Sequence, residues 1–252
     1  MYRKFKEWSV YARMKYVIMC GGTYNKFKVP KPLLKIKGEV LVERTIRLLK
    51  ENGVTDIAIS TNNKAFDYID VPKIRNKNNK FICLGNKEKV DSNYSWLKAY
   101  CLLDEPVCYL HGDVYYSSKA IKRIVEKPVA KTMFFCVGDK FDVLNRDKRN
   151  IHGREPLAYK VEDYKLFNFA IRDLLEMIDD GLFKDAKYPP IAWTVYRYLN
   201  GLDLGFKAQS YGELNSIFTS HGDYVVINDY TTDIDKTIDV ERLEEVLKDV
   251  SD

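Results

Sequence analysis

Lys15-Tyr-Val-Ile-Met-Cys20-Gly21-Gly22-Thr23-Tyr24-Asn25-Lys26-Phe27-Lys28-Val29-Pro30-Lys31-Pro32-Leu33-Leu34 is the stretch on which the fold turns. Its first six residues are a short apolar, β-rich run that stops at two glycines. Such a run, without alternation, reads as a strand buried on both faces. Glycine lets backbone N–H groups approach an anion closely, and successive donors in a loop can cradle phosphate. Lys26, Lys28 and Lys31 add charge to the same loop. Pro30 and Pro32 argue against helix there. A Walker-type loop is excluded because no Gly-Lys-Ser/Thr follows, and the dinucleotide pattern G-x-G-x-x-G is absent. Gly-Gly alone is more often an ordinary turn carrying solvated lysines, and it is Pro30-Lys31-Pro32-Leu33-Leu34 at this spacing that turns the reading toward phosphate.

Outward from this stretch, strand and helix signals alternate. Leu33 to Ile36 with Lys37-Gly38 reads as a short strand and turn. Val42 to Lys50 is helical, with Asn52-Gly53 as its stop. Thr55–Ser60, Lys80–Leu84, Pro106–Leu110 and Lys131–Val137 read as strands, and Ser95–Leu103 and Ser118–Glu126 as helices. Alternation at roughly 25-residue spacing implies βαβ units, an α/β fold and a mainly parallel sheet. The pattern weakens over 138–222, which reads as an inserted lobe with a strand at Leu157–Val161 and helices near 163–179 and 191–200. A strand at Tyr224–Asn228 and a helix from about Ile238 to Val250 resume it. Residues 1–13 read as an appendage, with Met14 as a second start, leaving one domain over 14–252.

The 252 residues are 46% apolar and 31% charged, a globular composition. No apolar run approaches the ~18 residues of a membrane span, and the first residues do not read as a signal peptide. Cys20, Cys83, Cys101, Cys108 and Cys136 include no C-x-x-C pair, so they read as buried thiols of a cytoplasmic protein. His111, His152 and His221 are scattered, which argues against zinc. A net charge of +5 suits a small anionic substrate, and no basic stripe interleaved with aromatics points to nucleic acid.

Four more segments carry possible chemistry. Tyr109-Leu110-His111-Gly112-Asp113-Val114 ends an apolar strand in a carboxylate, where open α/β sheets bind ligands. Asp113 there is either a turn residue or a Mg²⁺ ligand. Thr231-Thr232-Asp233-Ile234-Asp235-Lys236-Thr237-Ile238-Asp239 places two aspartates on one side of an extended loop, or caps a helix with them. Asp91-Ser92-Asn93-Tyr94-Ser95-Trp96 opens a helix with polar groups. His152-Gly153-Arg154-Glu155-Pro156 with Lys160 is either a solvated basic loop or an anion-binding one. Trp193 fits core packing as well as a substrate wall.

Together, Gly21-Gly22, Pro30-Lys31-Pro32-Leu33-Leu34, Gly38, Arg44-Thr45-Ile46 and Asn52 to Ile57 resemble the nucleotidyltransferases of the Rossmann-like glycosyltransferase-A fold. These include sugar-phosphate nucleotidylyltransferases, phosphocholine cytidylyltransferases and molybdenum-cofactor guanylyltransferases. The resemblance implies a three-layer α/β/α domain with a mixed, mainly parallel sheet. It is dense over 14–60, recurs near 91–117 and 224–247, and does not cover the lobe. Most relatives have a longer loop with a second glycine and an arginine. Here Tyr24 falls near the glycine and Lys26 near the arginine, and lysine cannot make a bidentate fork.

The resemblance further implies a Mg²⁺-dependent transfer of NMP from an NTP to a small phosphorylated acceptor, with release of pyrophosphate. Asp113 and Asp235, or Asp233, stand as metal ligands, and Lys31 and Lys26 as the catalytic cations. Cys20, Gly21, Gly22, Thr23 and Gly112 stand around the nucleotide. Asn93 and Ser95 resemble, one residue closer together, a segment beside the base in cytidylyltransferases, which favours CTP. Arg154, Lys160 and Trp193 stand as acceptor-binding residues. The expected setting is cytoplasmic synthesis or decoration of a surface or capsule polysaccharide, with no nucleic acid or membrane insertion, and compatible with a homodimer. The rivals are a UTP- or GTP-using sugar-1-phosphate nucleotidylyltransferase, a glycosyltransferase (disfavoured by Gly-Asp-Val where Asp-x-Asp is usual) and a non-catalytic nucleotide-binding module.

Overall fold

The apolar run after Met14 lies inside a seven-stranded sheet. The computed structural model describes residues 14–21, 27–75, 102–137, 155–187, 192–207 and 224–250. In chain order the strands are β1 (Lys15–Met19), β2 (Lys35–Ile36), β3 (Glu39–Val40), β4 (Ile57–Ser60), β5 (Lys73–Ile74) and β6 (Val107–His111). They continue with β7 (Val114–Tyr115), β8 (Thr132–Val137), β9 (Pro156–Val161), β10 (Tyr224–Ile227) and β11 (Thr232–Asp233). The helices are α1 (Leu41–Glu51), α2 (Ser118–Glu126), α3 (Tyr164–Asp179), α4 (Ala192–Leu199) and α5 (Thr237–Val246).

The main sheet runs β10-β8-β9-β6-β1-β4-β5. Every pairing is parallel except the two made by β9, which runs antiparallel between β6 and β8. β1 pairs with β4 and β6, and Tyr16, Val17 and Ile18 are fully buried, which is why this strand reads as a continuous apolar run. Successive side chains alternate between two cores. Tyr16, Ile18, Ile59 and Leu110 pack with Val42, Ile46 and Leu49 of α1 and Ile121 and Ile124 of α2. Val17, Tyr109 and Tyr159 pack with Phe167 and Ile171 of α3 and Trp193 and Tyr196 of α4. The result is a three-layer α/β/α fold.

Local signals set the ends of the elements. α1 stops in a Schellman arrangement: Val54 N–H donates to Leu49 O at 3.1 Å and Gly53 N–H to Lys50 O at 3.0 Å, with Gly53 at φ +81. The Ser117 side chain accepts from Ala120 N–H and starts α2, and Asp163 does the same for α3 through Leu166 N–H. The strand expected at 33–36 is shorter: Lys31–Leu33 form a 3-10 turn, and only Lys35–Ile36 pair, in a hairpin with β3.

The segment expected as an inserted lobe is built differently where it is described. β9 sits between β6 and β8, and α3 and α4 cover one face of the sheet. This part of 138–222 is a layer of the same domain, because β9 finds both hydrogen-bonding partners in the main sheet. The strand expected at 80–84, the start of the helix at Ser95 and residues 1–13 lie outside the described residues.

Candidate active site

Three segments meet beyond the carboxyl ends of β1 and β6. β6 ends at His111, and Gly112 N–H donates to Met19 O at 3.0 Å, drawing the following turn against the end of β1. A Cβ on Gly112 would lie 2.7 Å from Met19 O, 2.9 Å from Cys20 Sγ and 3.0 Å from Pro32 Cγ. Only a glycine lets these segments approach so closely. The next residue, Asp113, thereby faces the Pro30-Lys31-Pro32 turn. That turn is held by Leu33 N–H to Pro30 O at 2.8 Å and Leu34 N–H to Lys31 O at 3.0 Å.

The third segment arrives through β11, which pairs antiparallel with β7, Asp233 opposite Val114. Ile234 N–H donates to Asp113 O at 2.9 Å, which fixes Asp235 beside Asp113. The buried Asp239 carboxylate accepts from Asp235 N–H at 2.9 Å and Lys236 N–H at 2.8 Å, holding the turn into α5. Behind the ladder, Arg44 of α1 donates to Glu39 and to Tyr116 O, and its guanidinium lies 4.5 Å from the centre of the Tyr115 ring.

At the meeting point the Lys31 ammonium lies 2.6 Å from Asp113 Oδ2 and 3.3 Å from Asp235 Oδ1. Burial pulls this ammonium toward its neutral form. The Asp113 charge and hydrogen bond, with Asp235 adding to them, outweigh burial and hold it above the usual lysine value. Lys31 is therefore charged throughout the neutral range. His111 behaves oppositely: burial pushes its imidazole down to about 4, Asp113 raising and Lys31 lowering it, so it is neutral near pH 7. Burial, then the Asp113 charge, pushes the Cys20 thiol well up, which leaves it unreactive.

Residues 16–133 match the family model of the MobA-like NTP transferase domain. This segment is an NTP transferase domain. Comparison with curated protein sequences finds no match. Among solved structures, the chain is similar to a candidate glucose-1-phosphate thymidylyltransferase from Bacillus anthracis, at 18% identity and TM-score 0.49, covering 94% of this chain and 96% of that one. It is similar to the CTP:phosphocholine cytidylyltransferase LicC of Streptococcus pneumoniae, at 16% identity and TM-score 0.48, covering 94% and 100%. HddC of Yersinia pseudotuberculosis, complexed with GMP-PN, aligns at 17% identity and TM-score 0.44, covering 93% and 100%.

The NTP transferase domain brings Lys31 and Asp113 together, and the C-terminal segment adds Asp235 to them. Other expectations differ in the structure. Cys20 N–H is already spent on Ser60 O at 2.9 Å, and Gly112 N–H on Met19 O, so neither donor is left for a nucleotide. Gly112 serves close packing instead. Asp233 is buried within the ladder, whereas Asp235 reaches Lys31. The strand ends at Asp233, so the two-residue period does not carry on to Asp235. Lys160 is buried and donates to Ile124 O, Val125 O and Lys127 O at 3.1, 2.8 and 2.8 Å, closing the end of α2. Burial lowers its proton affinity as well. It is a helix cap, not an acceptor ligand. Trp193 is buried in the core under α4. Gly21 is described and follows β1, while Gly22, Thr23, Lys26, Asn93, Ser95 and Arg154 lie outside the described residues.

Two contributors escaped the reading of the sequence. Asp239 was legible only as a first-turn carboxylate, although its four-residue spacing from Asp235 was a usable signal. Arg44 stood in a recognised motif without a role, because the groups it ties together are distant in the chain.

The donor set can be tested for Mg²⁺. Two carboxylates that reach one cationic nitrogen are hard oxygen donors, and Mg²⁺ takes one or two such groups together with water and substrate phosphates. Among the described residues, no cluster of three or more His, Cys, Asp or Glu is placed to hold a metal. The pair Asp113 and Asp235, both within reach of the Lys31 ammonium, matches that chemistry.

Proposed function

We propose that this chain is a Mg²⁺-dependent nucleotidyltransferase that moves a nucleoside monophosphate, CMP from CTP, onto a small phosphorylated acceptor. The carrying observation is the contact of the Lys31 ammonium with both Asp113 and Asp235 at the carboxyl end of the sheet. An acceptor phosphate oxygen attacks the α-phosphorus in line, the bond to the α,β-bridging oxygen breaks, and pyrophosphate leaves. An acceptor phosphate that is already dianionic needs no general base, so catalysis is positioning and charge stabilisation.

Asp113 and Asp235 would hold Mg²⁺, which neutralises charge on the transferring phosphates. Lys31, on a short turn braced by two prolines, would carry its charge to the same phosphates, and Lys26 would add a second charge. Gly21, Gly22 and Thr23 would offer backbone donors. Asp239 keeps Asp235 in place, and neutral His111 adds no competing charge. The CTP preference rests on Asn93 and Ser95, and acceptor binding on Arg154. A CDP-linked precursor for a surface polymer is the product this reading favours. Among the described residues no helix is long and apolar enough to cross a membrane.

The test is a pyrophosphate-release screen, each NTP crossed with a panel of phosphorylated acceptors, with and without Mg²⁺. Turnover with CTP and Mg²⁺ supports the reading, and turnover with UTP or GTP alone overturns the base. Asp113→Ala is expected to lose turnover by about a hundredfold or more while keeping its melting transition. Full activity in that variant removes the metal site.

A further inference from the structure

The Lys31 ammonium stands between the same two carboxylates that the nucleotidyltransferase reading gives to the metal. Its side chain is only 20% exposed, and its backbone is fixed by the turn bonds at Leu33 and Leu34 and by the buried Pro32. A divalent cation and an ammonium cannot share one carboxylate pair without strong repulsion at about 4 Å. The backbone cannot yield, so the side chain must swing. Swinging into solvent would give up two charge-assisted hydrogen bonds for no new anion. A polyphosphate offers the ammonium such an anion.

We propose that Lys31 is an internal counter-cation: it excludes a free divalent cation from Asp113 and Asp235, and the site takes the cation only together with a nucleotide's phosphates. The inference rests on the functional reading above for the identity of the polyphosphate. Its core concerns only Lys31, the two carboxylates and the ion. Linkage makes the effect reciprocal: nucleotide tightens the metal and metal tightens the nucleotide by one factor, about 5–150-fold in typical coupled sites.

The test is a titration of the nucleotide-free protein with Mn²⁺ alone, reading free Mn²⁺ by its electron paramagnetic resonance signal. Wild type is expected to bind only at millimolar concentrations. Lys31→Met and Lys31→Gln should bind at least about tenfold more tightly. Lys31→Arg, which keeps the charge, should stay as weak as wild type. Adding Asp113→Asn to the Met variant should abolish its gain. Micromolar binding by wild type overturns the proposal outright, whether or not the variants fold. So does a folded Met or Gln variant that binds no more tightly than wild type. No nucleotide or acceptor is present, so a failed pyrophosphate screen and a failed Mn²⁺ titration remain separate results.

Discussion

Gly112 illustrates how much rests on one missing methyl group. The Met19 carbonyl oxygen, the Cys20 sulfur and the Pro32 ring would all crowd a side chain at this position. Gly112→Ala is expected to cost about 1–3 kcal/mol through overpacking, read as a lower midpoint in denaturant. It should also part Lys31 from Asp113 and so reduce turnover. Unchanged stability and turnover would show that the close approach is dispensable. The residue was legible as part of Gly-Asp-Val, but its role was not. A glycine that offers its N–H to a phosphate and a glycine that spends it on a neighbouring strand look the same in a sequence. Asp235 is a similar case: which of two nearby aspartates reaches the cleft depended on where β11 ends.

At the scale of elements, periodicity and caps carried most of the information. α2 has the expected bounds, Ser118–Glu126, and α1 differs by one residue at each end, because apolar spacing and local caps are encoded nearby in the chain. The role of Lys160 is hidden in the sequence because a lysine in an apolar strand has no local partner. Its partners are the last carbonyls of α2, some 33–36 residues earlier. Lys160→Met keeps the stem and removes the donors. It should destabilise the fold by about 1–3 kcal/mol while the acceptor KM stays the same. A raised KM with full stability would restore the acceptor role.

Arg47 and Arg44 brace the β2–β3 hairpin to α1 through Glu39. The Arg47 hydrogen bond pulls the Glu39 carboxyl below its usual range, burial opposes this, and the Arg44 hydrogen bond adds to it. As pH falls, the unfolded chain takes up the proton before the folded one does. The stabilisation is therefore complete above the ordinary carboxylate value and is lost as pH falls through the folded value. Wild type should lose its advantage over Glu39→Gln between about pH 5 and pH 3, by thermal melts across that range. A constant difference would remove the linkage.

For the whole molecule, nucleotide binding should register as stability. A ligand that binds only the folded chain adds about 2.7 kcal/mol at a hundred times its Kd. Thermal shifts with each NTP and Mg²⁺ should be largest for CTP, and equal shifts for all four would leave the base unread by this site. The sequence by itself determined the α/β class, a mainly parallel sheet and the candidates Lys31 and Asp113, with Asp235 or Asp233 as the third. Those signals are local: a short apolar run, a turn motif, a carboxylate after a strand. Only the tertiary structure decided that β9 lies inside the main sheet, that Lys160 and Trp193 serve packing, and that Asp235 rather than Asp233 meets Lys31. These depend on pairings between residues far apart in the chain, whose register no nearby spacing records.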